Sequence, residues 1–401
     1  MDDVAGSQPV RDEDAFDVAA VDRWLRARLA DTNQTDPAQA DPARNGAAQA
    51  GPPQAGSPPA GAAEEKPAED APPRGPLPPG LPEVRQFSGG ASNLTYLLRY
   101  PDRDLILRRP PIGRKAAGAH DMGREYRVQK RLRPVFPQVP RMVAFCDDPA
   151  VLGADFYVME RVPGIIPRRD FPPELTLDPQ ATRRLAFAVV DVLIRLHELD
   201  PVASGLADLG KGSGYTERQV RGWSRRYRDA RTENVPSFEP VMEWLAERIP
   251  ADVTTCVIHN DFRFDNLVFD PSRPGPDGLP RISAVLDWEM ATLGDPLMDL
   301  GGALAYWVQE DDDEFYRTIR RQPTNAPGMP TRAEVVEYYG RRRGLDVSHW
   351  LFYEVFGLFR LAVIAQQIYY RYFHGQTTNP KFKDYWRLVT YLEERCRRLI
   401  A

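Results

Sequence analysis

At 401 residues and 42% hydrophobic composition, the chain has enough apolar side chain for one two-lobed domain or two small ones. The net charge of −5 is mild and no basic run is interleaved with aromatics, which argues against nucleic-acid binding. No run approaches the roughly 18 apolar residues of a membrane span, and Met1-Asp2-Asp3 is unlike a signal peptide. Cys146, Cys256 and Cys396 are scattered, which fits a reducing cytoplasm and offers no disulfide or metal motif.

The first expected element is an amphipathic helix over Asp17–Leu29, with Val18, Val21, Leu25 and Leu29 at helical spacing and Trp24 beside them. Residues 1–31 form this leading segment. Residues 32–80 are rich in Ala, Pro and Gly and nearly free of large apolar side chains, so a disordered insertion is expected. Residues 1–80 carry 14 acidic and 7 basic side chains. A helix on such a tether is either docked on the following domain or free to engage a protein partner.

Strands are expected at Val84–Phe87, Leu94–Tyr100, Asp104–Arg108 and Phe156–Met159, broken by Gly89-Gly90 and Pro101-Asp102. Asp121 suits the N-cap of a helix carrying Glu125. Between the first two strands lies Ser88-Gly89-Gly90-Ala91-Ser92-Asn93. Its adjacent glycines let the backbone approach phosphate oxygens, although such a stretch alone is most often an ordinary hairpin turn. Strand alternation puts Arg108 and Arg109 on opposite faces. Beyond Pro163-Gly164 the chain reads as mostly helical, over 179–199, 215–229, 240–248 and most residues from Asp295.

The chemistry concentrates at His259-Asn260-Asp261-Phe262-Arg263-Phe264-Asp265-Asn266, an H-x-D-x-x-x-x-N pattern, and at Val285-Leu286-Asp287. Phosphoryl transfer needs a carboxylate beside the attacking hydroxyl and oxygen ligands for Mg2+ on the nucleotide phosphates. Asp261 suits the first role and Asn266 with Asp287 the second, with Glu289 a secondary candidate. Leu267–Phe269 and Arg281–Leu286 read as the hairpin that carries them. His259 reads as a loop brace, His197 as a packed helix residue, Asp295 as a helix cap and Asp299 as a bracing carboxylate. From Tyr339 to Ala401, 11 Lys or Arg face 5 Asp or Glu. Arg360 and Arg371 flank an apolar stretch there, which leans towards an anionic or acyl-chain acceptor.

The segments FSGGASNLTYLL, LILRRPP, AHDMGREYRV, FYVMERVPG, IRLHELD, HNDFRFDNLVFD, VLDWEMATLGDPLMDL and AVIAQQIYYRY follow in order from about residue 84. Together they resemble the aminoglycoside phosphotransferase family, and more narrowly the kinase-like domain fused to some acyl-CoA dehydrogenases. The resemblance implies an α+β, bilobal protein-kinase-like fold, with an antiparallel-sheet N-lobe at 81–162 and a larger, mainly helical C-lobe at 163–401. It also implies a nucleotide site built from Ser88, Gly89, Gly90, Ser92, Asn93, Arg108, Glu125 and the backbone at Glu160 and Val162. Arg108 departs from the strand lysine of protein kinases and is expected to pair with Glu125. ATP and GTP both fit as donor, and a hydroxyacyl-CoA is the acceptor the nearest resemblance implies. A catalytically silent nucleotide-binding regulator and an aminoglycoside or sugar kinase are the competing readings.

Overall fold

The computed structural model describes residues 6–32, 75–87, 93–111 and 121–401. They divide into two units: Met1–Lys130 with Arg141–Arg161, and Arg131–Pro140 with Val162–Ala401. The nucleotide-loop candidates Ser88, Gly89, Gly90 and Ser92 lie outside the described residues, as does 33–74 of the expected insertion.

The first unit is built on an antiparallel sheet. Its strands are β1 (Ser7–Gln8), β2 (Glu83–Phe87), β3 (Leu94–Arg99), β4 (Asp104–Arg109), β5 (Met142–Cys146) and β6 (Phe156–Glu160), in the order β1-β2-β3-β4-β6-β5. Alternation decides what each face buries. Leu105 and Leu107 join Tyr96, Leu98, Phe156 and Val158 under α1 (Val18–Thr32), which contributes Val21, Leu25 and Leu29. Ile106 and Arg108 point to the opposite face. There Leu97, Ile106, Tyr157 and Met159 pack on Met122 and Tyr126 of α2 (Met122–Leu132). Asp121 receives the amide of Arg124 at 2.8 Å and so caps α2. A short α3 (Pro149–Leu152) precedes β6.

The leading helix is therefore docked, and Trp24 meets Phe156 edge-on at 4.9 Å. Residues 75–80, assigned above to the disordered insertion, are instead anchored. Arg26 donates to the carbonyls of Leu77, Pro78 and Gly80 at 2.9, 2.6 and 2.7 Å, and Leu77 is buried. One leucine and three captured carbonyls fix a stretch whose Pro/Gly composition suggested nothing to pack.

The second unit is mainly helical: α4 (Pro179–His197), α5 (Tyr215–Ala230), α6 (Glu239–Glu247), α7 (Pro296–Leu304), α8 (Glu314–Thr318), α9 (Arg332–Arg343), α10 (Trp350–Phe373) and α11 (Tyr385–Ile400). Two small antiparallel pairs are set among them. One joins β7 (Cys256–Ile258) to β10 (Thr292–Gly294), and the other joins β8 (Leu267–Pro274) to β9 (Pro280–Val285). Helices α7 and α10 approach closely because Gly301 and Gly357 face each other. A Cβ on Gly301 would lie 2.6 Å from the Tyr353 carbonyl oxygen. Helix α10 is long and apolar enough to cross a membrane by length and composition, although Glu354 and Arg360 interrupt its apolar run. Yet 72% of its apolar window is buried inside the fold, with Phe352, Phe356, Phe359 and Val363 in the core.

Candidate active site

In the second unit the chain leaves β7 and enters a loop held by one buried carboxylate. Asp299 on α7 accepts the amides of His259 and Asn260, each at 2.7 Å, and meets Nε2 of His197 at 3.0 Å. Tyr339 engages the other nitrogen of His197 at 2.6 Å. Burial alone would raise the Asp299 pKa, but His197 and the loop amides hold it below the ordinary carboxylate range. Asn260 takes a left-handed conformation at φ 64°. It is fixed there from several sides: its Nδ2 donates to the Met290 carbonyl, its Oδ1 accepts from Tyr215, and its carbonyl accepts from Arg360. Such strain persists only where the surroundings over-determine it.

His259 is fully buried, and burial lowers its pKa, so the ring is neutral. Its Nε2 lies 3.0 Å from the Leu286 carbonyl, and its Nδ1 accepts the Asp261 amide at 3.2 Å. One tautomer satisfies both bonds, which makes the imidazole a strut between the loop and the β9 end. Asp261 thus points from a braced backbone. Its Oδ2 accepts from Asn266 Nδ2 at 2.9 Å and from Arg263 Nη2 at 3.2 Å. Burial pushes its pKa up to about 6, helped by the charge of Asp287 and opposed by Arg263 and Arg360. Its side chain still keeps 23% of its exposure, so an acceptor hydroxyl can reach it.

Asn266 ends a tight turn over Phe264–Asn266 and is bonded through its carbonyl to the Leu286 amide at 2.8 Å. Because its NH2 is turned to Asp261, its Oδ1 is the atom left for a cation. Asp287 follows Leu286 in the left-handed region at φ 68°. Buried Trp288 next to it donates to the Val285 carbonyl at 2.9 Å. Both residues offer hard oxygen donors. Among the described residues no group of three or more His, Cys, Asp or Glu is placed to hold a metal. That donor set fits Mg2+, which binds through one or two side chains and takes its remaining ligands from phosphate and water.

In the first unit, Arg108 Nη1 meets Glu125 Oε1 at 2.6 Å, and Tyr157 donates to the same oxygen at 2.8 Å. Gln129 in turn donates to the Tyr157 hydroxyl at 3.2 Å. Arg109 faces the other way, onto the Tyr96 hydroxyl and the Asp14 carbonyl. Asn93 is buried at the start of β3. The amides of Glu160 and Arg161 are committed to the sheet, on the carbonyls of Arg141 and Asp104, so the Glu160 backbone can serve a ligand only through its carbonyl. Val162 begins the second unit.

Two site residues escaped the sequence reading. Arg263 binds Asp261, and its guanidinium lies 4.6 Å from the centre of the Tyr306 ring. The Asp-x-Arg spacing was the available signal for the first; nothing local marks Tyr306. Arg360 also needs correction as an acceptor-facing residue. It is 6% exposed, donates to the Asn260 carbonyl at 2.7 Å and stacks over Trp223, so it braces the loop, whereas Arg371 is exposed.

A profile described as the phosphotransferase enzyme family matches residues 83–335. Acyl-CoA dehydrogenase family member 10 of Mus musculus is 36% identical over 78% of this chain, and member 11 of Rattus norvegicus is 35% identical over 74%. This chain spans only 28% and 37% of those proteins. A crystal structure from Ralstonia eutropha, named as an aminoglycoside phosphotransferase, superposes with a TM-score of 0.69 and 28% identity. It covers 96% of this chain and 98% of its own.

Proposed function

We propose that this chain, which belongs to the phosphotransferase enzyme family, transfers the γ-phosphoryl group of ATP or GTP to a hydroxyl group of a small molecule. The observation that carries the reading is the Asp261 carboxylate, gripped by Asn266 and Arg263 at the tip of a loop that Asp299 and His259 brace. In this reading Asp261 accepts or orients the proton of the acceptor hydroxyl. Arg263 fixes the carboxylate rotamer and offsets its charge. Asn266 Oδ1 and Asp287 would hold Mg2+, which when bound neutralises phosphate charge. Arg108, oriented by Glu125 and Tyr157, would place its fork on phosphate oxygens. No covalent enzyme intermediate is required.

The finer assignment rests on the relatives. Their names and the local excess of cationic residues after Tyr339 support a hydroxyacyl-CoA as acceptor, and the three buried free thiols support a reducing, cytoplasmic location. The test is incubation with Mg2+, ATP or GTP, and a panel of hydroxylated acyl-CoAs, sugars and amino alcohols. Mass spectrometry should find one acceptor class gaining a single phosphate. Nucleotide binding with no phosphorylated product across the panel would favour a catalytically silent regulator.

A further inference from the structure

A depression enclosing about 520 Å³, open solvent included, lies in the second unit, lined by the segments after α7 and α8 and by helices α10 and α11. Leu361, Ile364, Ala365 and Ile368 contribute one stripe of α10, at the i, i+3, i+4 and i+7 spacing that puts them on a single face. Ile319 and Leu388 complete an apolar wall, and Ile319, Ile364, Ile368 and Leu388 each remain partly exposed to the cavity rather than sealed by a neighbour.

Two arginines stand at this cavity, and they differ. Arg320 is compensated by Asp170 at 2.6 Å and by the Arg169 carbonyl. Arg321 is exposed, donates to the Tyr385 hydroxyl at 2.6 Å, and has no carboxylate partner among the described residues. The wall is linked to the Asp261 carboxylate through two side chains. Tyr306 lines the cavity, its ring carries the Arg263 guanidinium, and Arg263 bonds Asp261. The Tyr306 hydroxyl feels the charges of Arg263, Asp261, Arg360 and Arg321. A greasy slot with an uncompensated cation in its lining, separated from Asp261 by Tyr306 and Arg263, suits an amphiphile better than a sugar.

We infer that this cavity takes the hydrocarbon chain of the acceptor, with Arg321 meeting an anionic group carried on the same molecule. The inference rests on the phosphotransfer reading for the identity of the occupant, but its test does not need turnover. The probes are octanoate and octanoyl-CoA, which carry no hydroxyl to phosphorylate, and neutral octanol, titrated into the full chain by calorimetry without nucleotide.

The wild-type chain should bind an anionic probe more tightly than octanol, and preference for octanoate or octanoyl-CoA tells a carboxylate from the phosphates of CoA. Arg321→Gln, an exposed change, should weaken anion binding about five- to tenfold, as expected for one lost charge-assisted contact, and leave octanol unchanged. Leu388→Trp, which fills the slot, should weaken all three at an unchanged melting temperature. If that variant unfolds, Ile368→Phe repeats the test. Binding of neither anion by the wild-type chain, or wild-type affinity in both variants, overturns the assignment. Probe binding that follows these variants, in a protein that phosphorylates no hydroxylated chain, would retain the cavity and remove the kinase reading. Transfer to short polar acceptors that octanoate and octanoyl-CoA do not inhibit would do the reverse.

Discussion

Replacing Asp299 with Asn keeps the volume and shape of the side chain but removes the means of bracing the catalytic loop. The carboxylate accepts two backbone amides, one on each oxygen, at 2.7 Å, and also meets His197 Nε2. An amide side chain offers one oxygen, so at least one buried N–H must face an NH2. An unsatisfied buried donor costs about 1–3 kcal/mol, and bonds to a charged acceptor lie at the upper end of that range. About 2–3 kcal/mol of destabilisation follows, or a fall of roughly 4–12 °C in melting temperature for a unit of this size. Because Asn260 then loses one of the contacts that hold its left-handed conformation, turnover should drop as well. The pH dependence has a definite sign. The folded pKa is depressed, so the stability from Asp299 is fully present above its unfolded value near 4. It is lost only as pH falls below that value, through the folded pKa. Differential scanning fluorimetry from pH 3 to 8, paired with steady-state kinetics, checks both halves. Unchanged melting and turnover in Asp299→Asn would refute the bracing argument.

Asp287→Ala should lower Mg2+-dependent nucleotide affinity at least tenfold, because Asn266 alone is a neutral ligand; calorimetry with and without Mg2+ measures this. Leu25→Ala, at a fully buried position of α1, should cost about 2–5 kcal/mol in chemical denaturation. A negligible change would mean that the helix is not part of the core. Arg360→Gln should reduce kcat and melting temperature through the loop, while Arg371→Gln should leave both within error. A rise in acceptor KM alone for Arg360→Gln would restore its acceptor-facing role.

Elements specified by local pattern were legible in the sequence. The β2–β3–β4 meander, the Asp121 cap, the Asp295-Pro296 helix start and the β8–β9 hairpin all depend on neighbours a few residues apart. What was missed depends on distant partners. Strands β7 and β10 are three residues each and pair across more than thirty positions. The 75–80 segment is ordered by Arg26, about fifty residues upstream. Arg360 looked like surface charge beside an apolar run because helical periodicity cannot tell that its face meets the Asn260 carbonyl. At the site, the pattern identified Asp261, Asn266 and Asp287 as candidates, and the structure brings them to one braced loop and the adjoining strand end. Tyr306 was out of reach, because only the packing of α7 against the loop brings it beneath Arg263.

The central claim is that Asp261 acts on the acceptor hydroxyl in a phosphoryl transfer. Asp261→Asn isolates that role, because an amide keeps the hydrogen-bonding shape but cannot take a proton at neutral pH. Nucleotide affinity and turnover should be measured on the same preparation with the acceptor identified from the panel. The account predicts nucleotide affinity within about twofold of wild type and turnover lowered about 10²–10⁴-fold. Turnover near that of wild type would contradict it.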